Sequence, residues 1–124
     1  MTGVQTCALP ISNAYSILGA IEFKKENYAA AQENLQKSID AYPADPDPVV
    51  VLRLALAIDK RATAAVDRDQ QQKLYADALK VARRAVEMTR ENMAIGTPAR
   101  HERDRLQKLT EGAAPTQPQS PPKN

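Results

Sequence analysis

The run Asp45-Pro46-Asp47-Pro48 constrains this chain more than any other feature. Prolines two residues apart cannot lie inside a helix or a central strand, because each lacks a backbone N–H and its ring fixes φ. The residue before a proline is pushed out of helical geometry, so a helix arriving from the N-terminal side must stop by Tyr42-Pro43. The run is also a start: Asp47 can cap a helix whose first position is Pro48. What lies on either side must therefore be short, separate elements.

Those elements carry a helical period. Between Asn13 and Lys25 apolar residues fall at Ala14, Ile17, Leu18, Ile21 and, less regularly, Phe23, the spacing of an amphipathic helix. Lys25-Glu26-Asn27 is a polar turn, with Asn27 expected to take any left-handed conformation. A second helix is expected from Tyr28 to Ala41, and a third from Pro48 to about Val66, apolar on most sides up to Ile58 as befits a helix between neighbours. After the polar break Asp67-Arg68-Asp69, a fourth should run from Gln70 to Ala94 on the stripe Leu74, Ala78, Val81, Ala82, Ala85 and Met88. Gly96-Thr97-Pro98 then reads as a helix end, a cap and a new start. The fifth helix, to about Thr110, has only the thin stripe Ala99, Leu106 and Leu109. From Gly112 onward the Pro-, Gln- and Ser-rich tail has nothing to bury and should stay extended or disordered.

Composition agrees with one all-α domain. Four glycines in 124 residues, and few β-branched runs, favour helices over sheets. A net charge of +2 from 17 basic and 15 acidic residues is too even to imply a nucleic-acid or anionic-membrane partner. No apolar run approaches the ~20 residues of a membrane span; the richest, Val49 to Ile58, is interrupted by Arg53.

Residues 1–11, MTGVQTCALPI, stand apart. They carry no charge and no period, and they match residue for residue the translation of a widely used sequencing adapter read from a GTG start. A secretory signal would need a basic leading segment and an apolar stretch without Pro10. The segment is therefore expected to be non-native, with a helical domain over 12–111 and a tail over 112–124. The only cysteine, Cys7, falls inside it, so the remainder offers no disulfide or thiolate chemistry.

Tyr15 to Pro43 reads YSILGAIEFKKENYAAAQENLQKSIDAYP and resembles the tetratricopeptide repeat. The matching positions are Tyr15, Leu18-Gly19, Tyr28, Ala31, Leu35, Ser38 (where Ala is usual) and Pro43; the aromatic Phe23 stands one place late. Small residues at Gly19 and Ala31 let two helices cross closely, with Tyr15 and Leu35 filling the flanking gaps. A second copy is looser: Leu54-Ala55 corresponds to Leu18-Gly19, and Tyr75, Ala78 and Ala85 to the second helix, with an insertion near 61–72 that either lengthens both helices or forms a loop. The resemblance implies an α-solenoid of antiparallel helix-turn-helix repeats, about five helices in all. The first repeat would span 12–45, the second 46–95, and 97–111 would be a capping helix at the C-terminal end of a longer array.

Function follows from the resemblance. It implies a non-catalytic scaffold for protein–protein interaction whose concave face, lined by the first helix of each pair, receives a protein or peptide segment. That face would include Ser16, Ala20, Phe23, Lys24, Leu52, Leu56 and Asp59, although Leu52 and Leu56 equally suit packing against a neighbouring helix. Ser16 and Ala20 stand where some family members place Lys and Asn to clamp a carboxylate, so no such clamp is expected. No catalytic, cofactor-binding or metal-binding set is evident. His101 is the only histidine, and Asp67-x-Asp69 lacks the glycine and terminal Glu of a calcium loop. Asp45, Asp47 and Asp67 suit helix caps. Two rival readings are an accessory module of a larger enzyme or secretion component, and a nucleic-acid surface on Lys80, Arg83, Arg84, Arg100, Arg103, Arg105 and Lys108. Interleaved Glu87, Glu91, Glu102 and Asp104, and no stacking aromatics, weigh against the latter.

Overall fold

A computed structural model of the chain describes residues 2–89 and 93–112, without side-chain detail for 2–9, Met93 and Gly112. All regular structure in it is helical: α1 (Thr2–Lys24), α2 (Tyr28–Ala41), α3 (Pro48–Ala64), α4 (Arg68–Met88) and α5 (Met93–Gly112). Consecutive helices pack on one another as antiparallel hairpins, α1 on α2 and α3 on α4. α3 also lies against α2, and α5 closes the stack against α4 and α3. The expected extended tail, beyond Gly112, lies outside the described residues.

Each boundary has a local cause. α1 ends in a Schellman turn, in which Asn27 N–H donates to Glu22 O (2.9 Å) and Glu26 N–H to Phe23 O (3.0 Å). Glu26 takes the left-handed residue of that turn, with φ 65°, in place of Asn27. Asn27 instead turns its side chain onto Glu22, Nδ2 to Oε1 at 2.8 Å. The carboxylate of Asp47 accepts from Val49 N–H at 2.9 Å, with Pro48 at the first helical position. Asp67 occupies the corresponding position of α4 without a side-chain cap bond, and Asp45 lies in the connection between α2 and α3, before the Asp47 cap. The inserted residues near 61–72 lengthen both helices of the second hairpin, leaving only Ala65 to Asp67 as the link.

Three expected boundaries move by more than two residues. α1 continues back through Pro10 to Thr2, since extending an established helix needs propagation only, not a new nucleus. At the other end, α4 stops at Met88 rather than Ala94, and α5 begins at Met93 rather than Pro98. Gly96 and Pro98 are thus inside α5, not a break before it, and Thr97 is not its cap. The role of Gly96 is tertiary: a Cβ there would come within 2.7 Å of the Thr89 carbonyl oxygen. Glycine lets the first turn of α5 cross the end of α4 closely, above buried Thr89, whose hydroxyl donates to Ala85 O at 2.7 Å.

The core runs through α2, α3, α4 and α5: Ala31, Leu35 and Ile39; Val50, Val51, Leu54, Ala55, Ala57, Ile58 and Ala62; Tyr75, Ala78, Leu79, Ala82 and Ala85; Ala99 and Leu106. The close crossing of the first hairpin is Gly19 on Leu35, where a Cβ would meet Leu35 Cγ and Cδ2 at 2.7 Å. Leu35 therefore fills the crossing itself, not a gap beside it. Buried Ser38 is satisfied by Ser12: each hydroxyl donates to the other's carbonyl oxygen at 2.8 Å. Apart from Phe23, the apolar stripe of α1 does not join this core. Ile17, Leu18 and Ile21 are 59%, 46% and 47% exposed, because the helix turns Gly19 and Ser12 toward α2 and leaves the larger aliphatics outside.

Candidate functional site

An open cavity of ≈ 700 Å³ lies between α3 and α5. Leu52 and Leu56 of α3 supply its apolar floor. Pro98, His101, Glu102, Asp104, Arg105 and Lys108 supply the wall from α5. The volume lies within the usual range for ligand sites, about 300–1,000 Å³. Helical spacing explains the arrangement. Leu52 and Leu56 are one turn apart on α3, and His101, Arg105 and Lys108 follow the same rule on α5.

A charged cluster at the cavity wall ties the two helices. Arg105 pairs through Nη2 with Asp59 Oδ2, and its Nε lies 3.7 Å from Glu102 Oε1. Asp59 and Glu102 are buried, whereas the Arg105 side chain is half exposed. One guanidinium therefore serves two carboxylates from the solvent side, and Asp59 Oδ1 and Glu102 Oε2 have no hydrogen-bond partner. Desolvation pushes the Glu102 carboxyl above its ordinary value, and the charge of Lys60 partly opposes this.

The sequence-expected residues divide into two groups. Leu52 and Leu56 face the cavity. Asp59 does not line an open groove: it is 3% exposed and held by Arg105. An isolated carboxylate at that depth would be costly, and the pairing accounts for its burial. Phe23 also departs from the expectation, because its ring packs edge-on against Tyr28 at 5.2 Å and against the core. Ser16, Ala20 and Lys24 stay on α1, away from this cavity, and Ser16 Oγ donates to Asn13 O at 2.9 Å in its own helix.

Glu102 and Arg105 were not singled out as groove residues, yet a signal existed. Glu102 is in phase with Ala99 and Leu106, three and four residues away, so it belongs to the buried stripe of α5. Of the other basic residues considered for nucleic acid, Arg100 and Arg103 have protein partners. Arg103 Nη2 meets Asp104 at 2.9 Å, and Arg100 Nη2 reaches Thr97 Oγ1 at 3.3 Å. Among the described residues no group of three His, Cys, Asp or Glu is placed to hold a metal ion, and no helix is long and apolar enough to cross a membrane. No protein-family model, curated protein or solved structure matches the chain.

Proposed function

We propose that this chain is a non-catalytic scaffold of tetratricopeptide type that binds a protein or peptide segment between α3 and α5. The observation that carries the reading is the cavity floored by Leu52 and Leu56, which are part-exposed while the other apolar residues of α3 from Val50 to Ile58 are buried. The Tyr15–Pro43 pattern and the stacking of two antiparallel hairpins support it. An apolar floor under a mixed-charge wall suits a segment that buries one or two aliphatic side chains and meets the rim with polar groups. Lys108 on the wall would pair with an acidic residue of that segment.

The test is a peptide-display selection on the wild-type chain, followed by affinity measurements on Leu52→Glu and Leu56→Glu. Both positions are part-exposed, so both variants should fold. Peptides that use the groove should lose roughly tenfold or more in affinity, about 1.4 kcal/mol. Their amide shift changes should fall on α3 and α5. Selected peptides that bind both variants unchanged would place the binding surface elsewhere.

A further inference from the structure

We propose that the segment held between α3 and α5 is anchored by a lysine, whose stem lies on Leu52 and Leu56 and whose ammonium is received by the carboxylate of Glu102. The proposal rests on the groove reading above and adds the chemistry of the anchor.

Glu102 lines the cavity and is only 7% exposed, so its carboxylate is largely withdrawn from water. Its Oε2 has no hydrogen-bond partner among the described residues. Its Oε1 stands 3.7 Å from Arg105 Nε, beyond hydrogen-bond length. Buried polar groups are normally paired, and a charged one left short of donors is costly. A cation brought to Oε2 would relieve the desolvation that already raises this carboxyl.

The cations of the chain do not fill that place. Arg105 is drawn to Asp59, which is 3% exposed and has an unpartnered Oδ1 of its own. Two buried carboxylates thus share one guanidinium, and with both ionised the three-residue cluster carries one negative charge in excess. Lys60 acts on Glu102 at a distance, and its side chain lines a separate groove with Tyr28 and Leu74. His101 precedes Glu102 directly and Lys108 is six residues on, and neither spacing brings side chains together on a helix.

Lysine suits the site better than arginine does. Leu52 and Leu56 are four residues apart, about 6 Å along α3. That matches a four-carbon stem, which can lie along apolar surface while its ammonium stays with polar groups. A guanidinium pairs best with both oxygens of one carboxylate, and Oε1 of Glu102 is turned to Arg105. The single oxygen left, Oε2, fits a compact ammonium. The terminal torsion of a glutamate is broad, so Oε2 can swing to the cavity side as the ammonium arrives.

The test uses the whole chain and the selected peptides that Leu52→Glu weakens. Those peptides should share a lysine. Replacing it by norleucine, which keeps the stem and removes the ammonium, should cost about tenfold in affinity on the wild-type chain. On Glu102→Gln the same replacement should cost less than about twofold, the coupling of a direct contact. Asp104→Asn, at an exposed acid of the same wall, should leave the tenfold penalty in place, and it keeps the test decisive if Glu102→Gln does not fold. Groove-binding peptides with no shared lysine, a norleucine penalty that is absent or equal on wild type and Glu102→Gln, or one that vanishes on Asp104→Asn would each overturn the proposal and leave the groove reading standing. A selection with no peptide sensitive to Leu52→Glu would sink both. Tighter peptide binding by Lys123→Gln would make the chain's own tail the occupant and also overturn the proposal.

Discussion

Leu18 and Leu54 hold the same place in two hairpins of one chain, yet Leu54 is 2% exposed and Leu18 46%. The second hairpin lies between α2 and α5, and its first helix buries Val50, Val51, Leu54, Ala55, Ala57, Ile58 and Ala62. The first hairpin has a neighbour on one side only. It is held by a narrow seam, with Gly19 on Leu35 and the paired hydroxyls of Ser12 and Ser38. A repeat helix buries its whole circumference only when it has helices on both sides. The same residue pattern thus gives core in one setting and surface in the other.

Equivalent truncations should show the largest contrast. Leu54→Ala should cost about 2–5 kcal/mol through lost burial and an unfilled cavity. Leu18→Ala should stay within about 0.5 kcal/mol, as at other exposed sites. Urea denaturation checks both, and equal losses would break the comparison. Next comes the seam: Gly19→Leu should destabilise by about 1–3 kcal/mol or more, because buried Leu35 has no room to retreat. Unchanged thermal stability would move the close crossing elsewhere.

Smaller effects sharpen the contrast at the α3–α5 junction. Arg105→Ala leaves Asp59 buried without its cation. Breaking a fully buried pair costs about 3–5 kcal/mol, but the half-exposed guanidinium reduces this to roughly 1–3 kcal/mol. Asp59→Asn in the same background should restore part of the loss in a double-mutant cycle. In the first hairpin, Glu26→Gly should add up to about 1 kcal/mol by relieving the left-handed backbone, measurable as a small rise in Tm.

The smallest effect is pH-dependent. Burial raises the Glu102 carboxyl in the folded state, so the folded chain binds that proton more readily than the unfolded chain. This group's contribution to stability therefore falls as pH rises from the ordinary carboxylate value through the raised one, and is restored on acidification. Glu102→Gln should flatten that part of the pH profile. Its net effect at neutral pH should be below about 1 kcal/mol, since the contact with Arg105 weakens as desolvation is relieved. Denaturation midpoints at several pH values decide it.

How much of this was legible in the chain depends on range. The α2 boundaries and the Asp47 cap follow from neighbouring residues, and both are as expected. Glycine was legible in kind but not always in place. Gly19 marks a close crossing as expected, whereas Gly96, which resembles a helix terminator, marks another. The difference is tertiary, because the atom a Cβ would strike at Gly96 belongs to the end of α4. Leu52 and Leu56, which the sequence offered either as groove or as packing residues, line the cavity. The Asp59–Arg105 link was not foreseen, because nothing in local spacing joins residues on α3 and α5.

By itself the amino-acid sequence determined that the chain is helical, where proline and the Asp47 cap divide it, and that two hairpins share one spacing. Those properties depend on φ restriction, side-chain reach and helical period, which act over a few residues. Only the tertiary structure decided that the stripe of α1 is mostly surface while those of α4 and α5 are core. Leu18 and Leu54 have the same chemistry and the same register; the presence of a helix on the second side buries one and leaves the other in water.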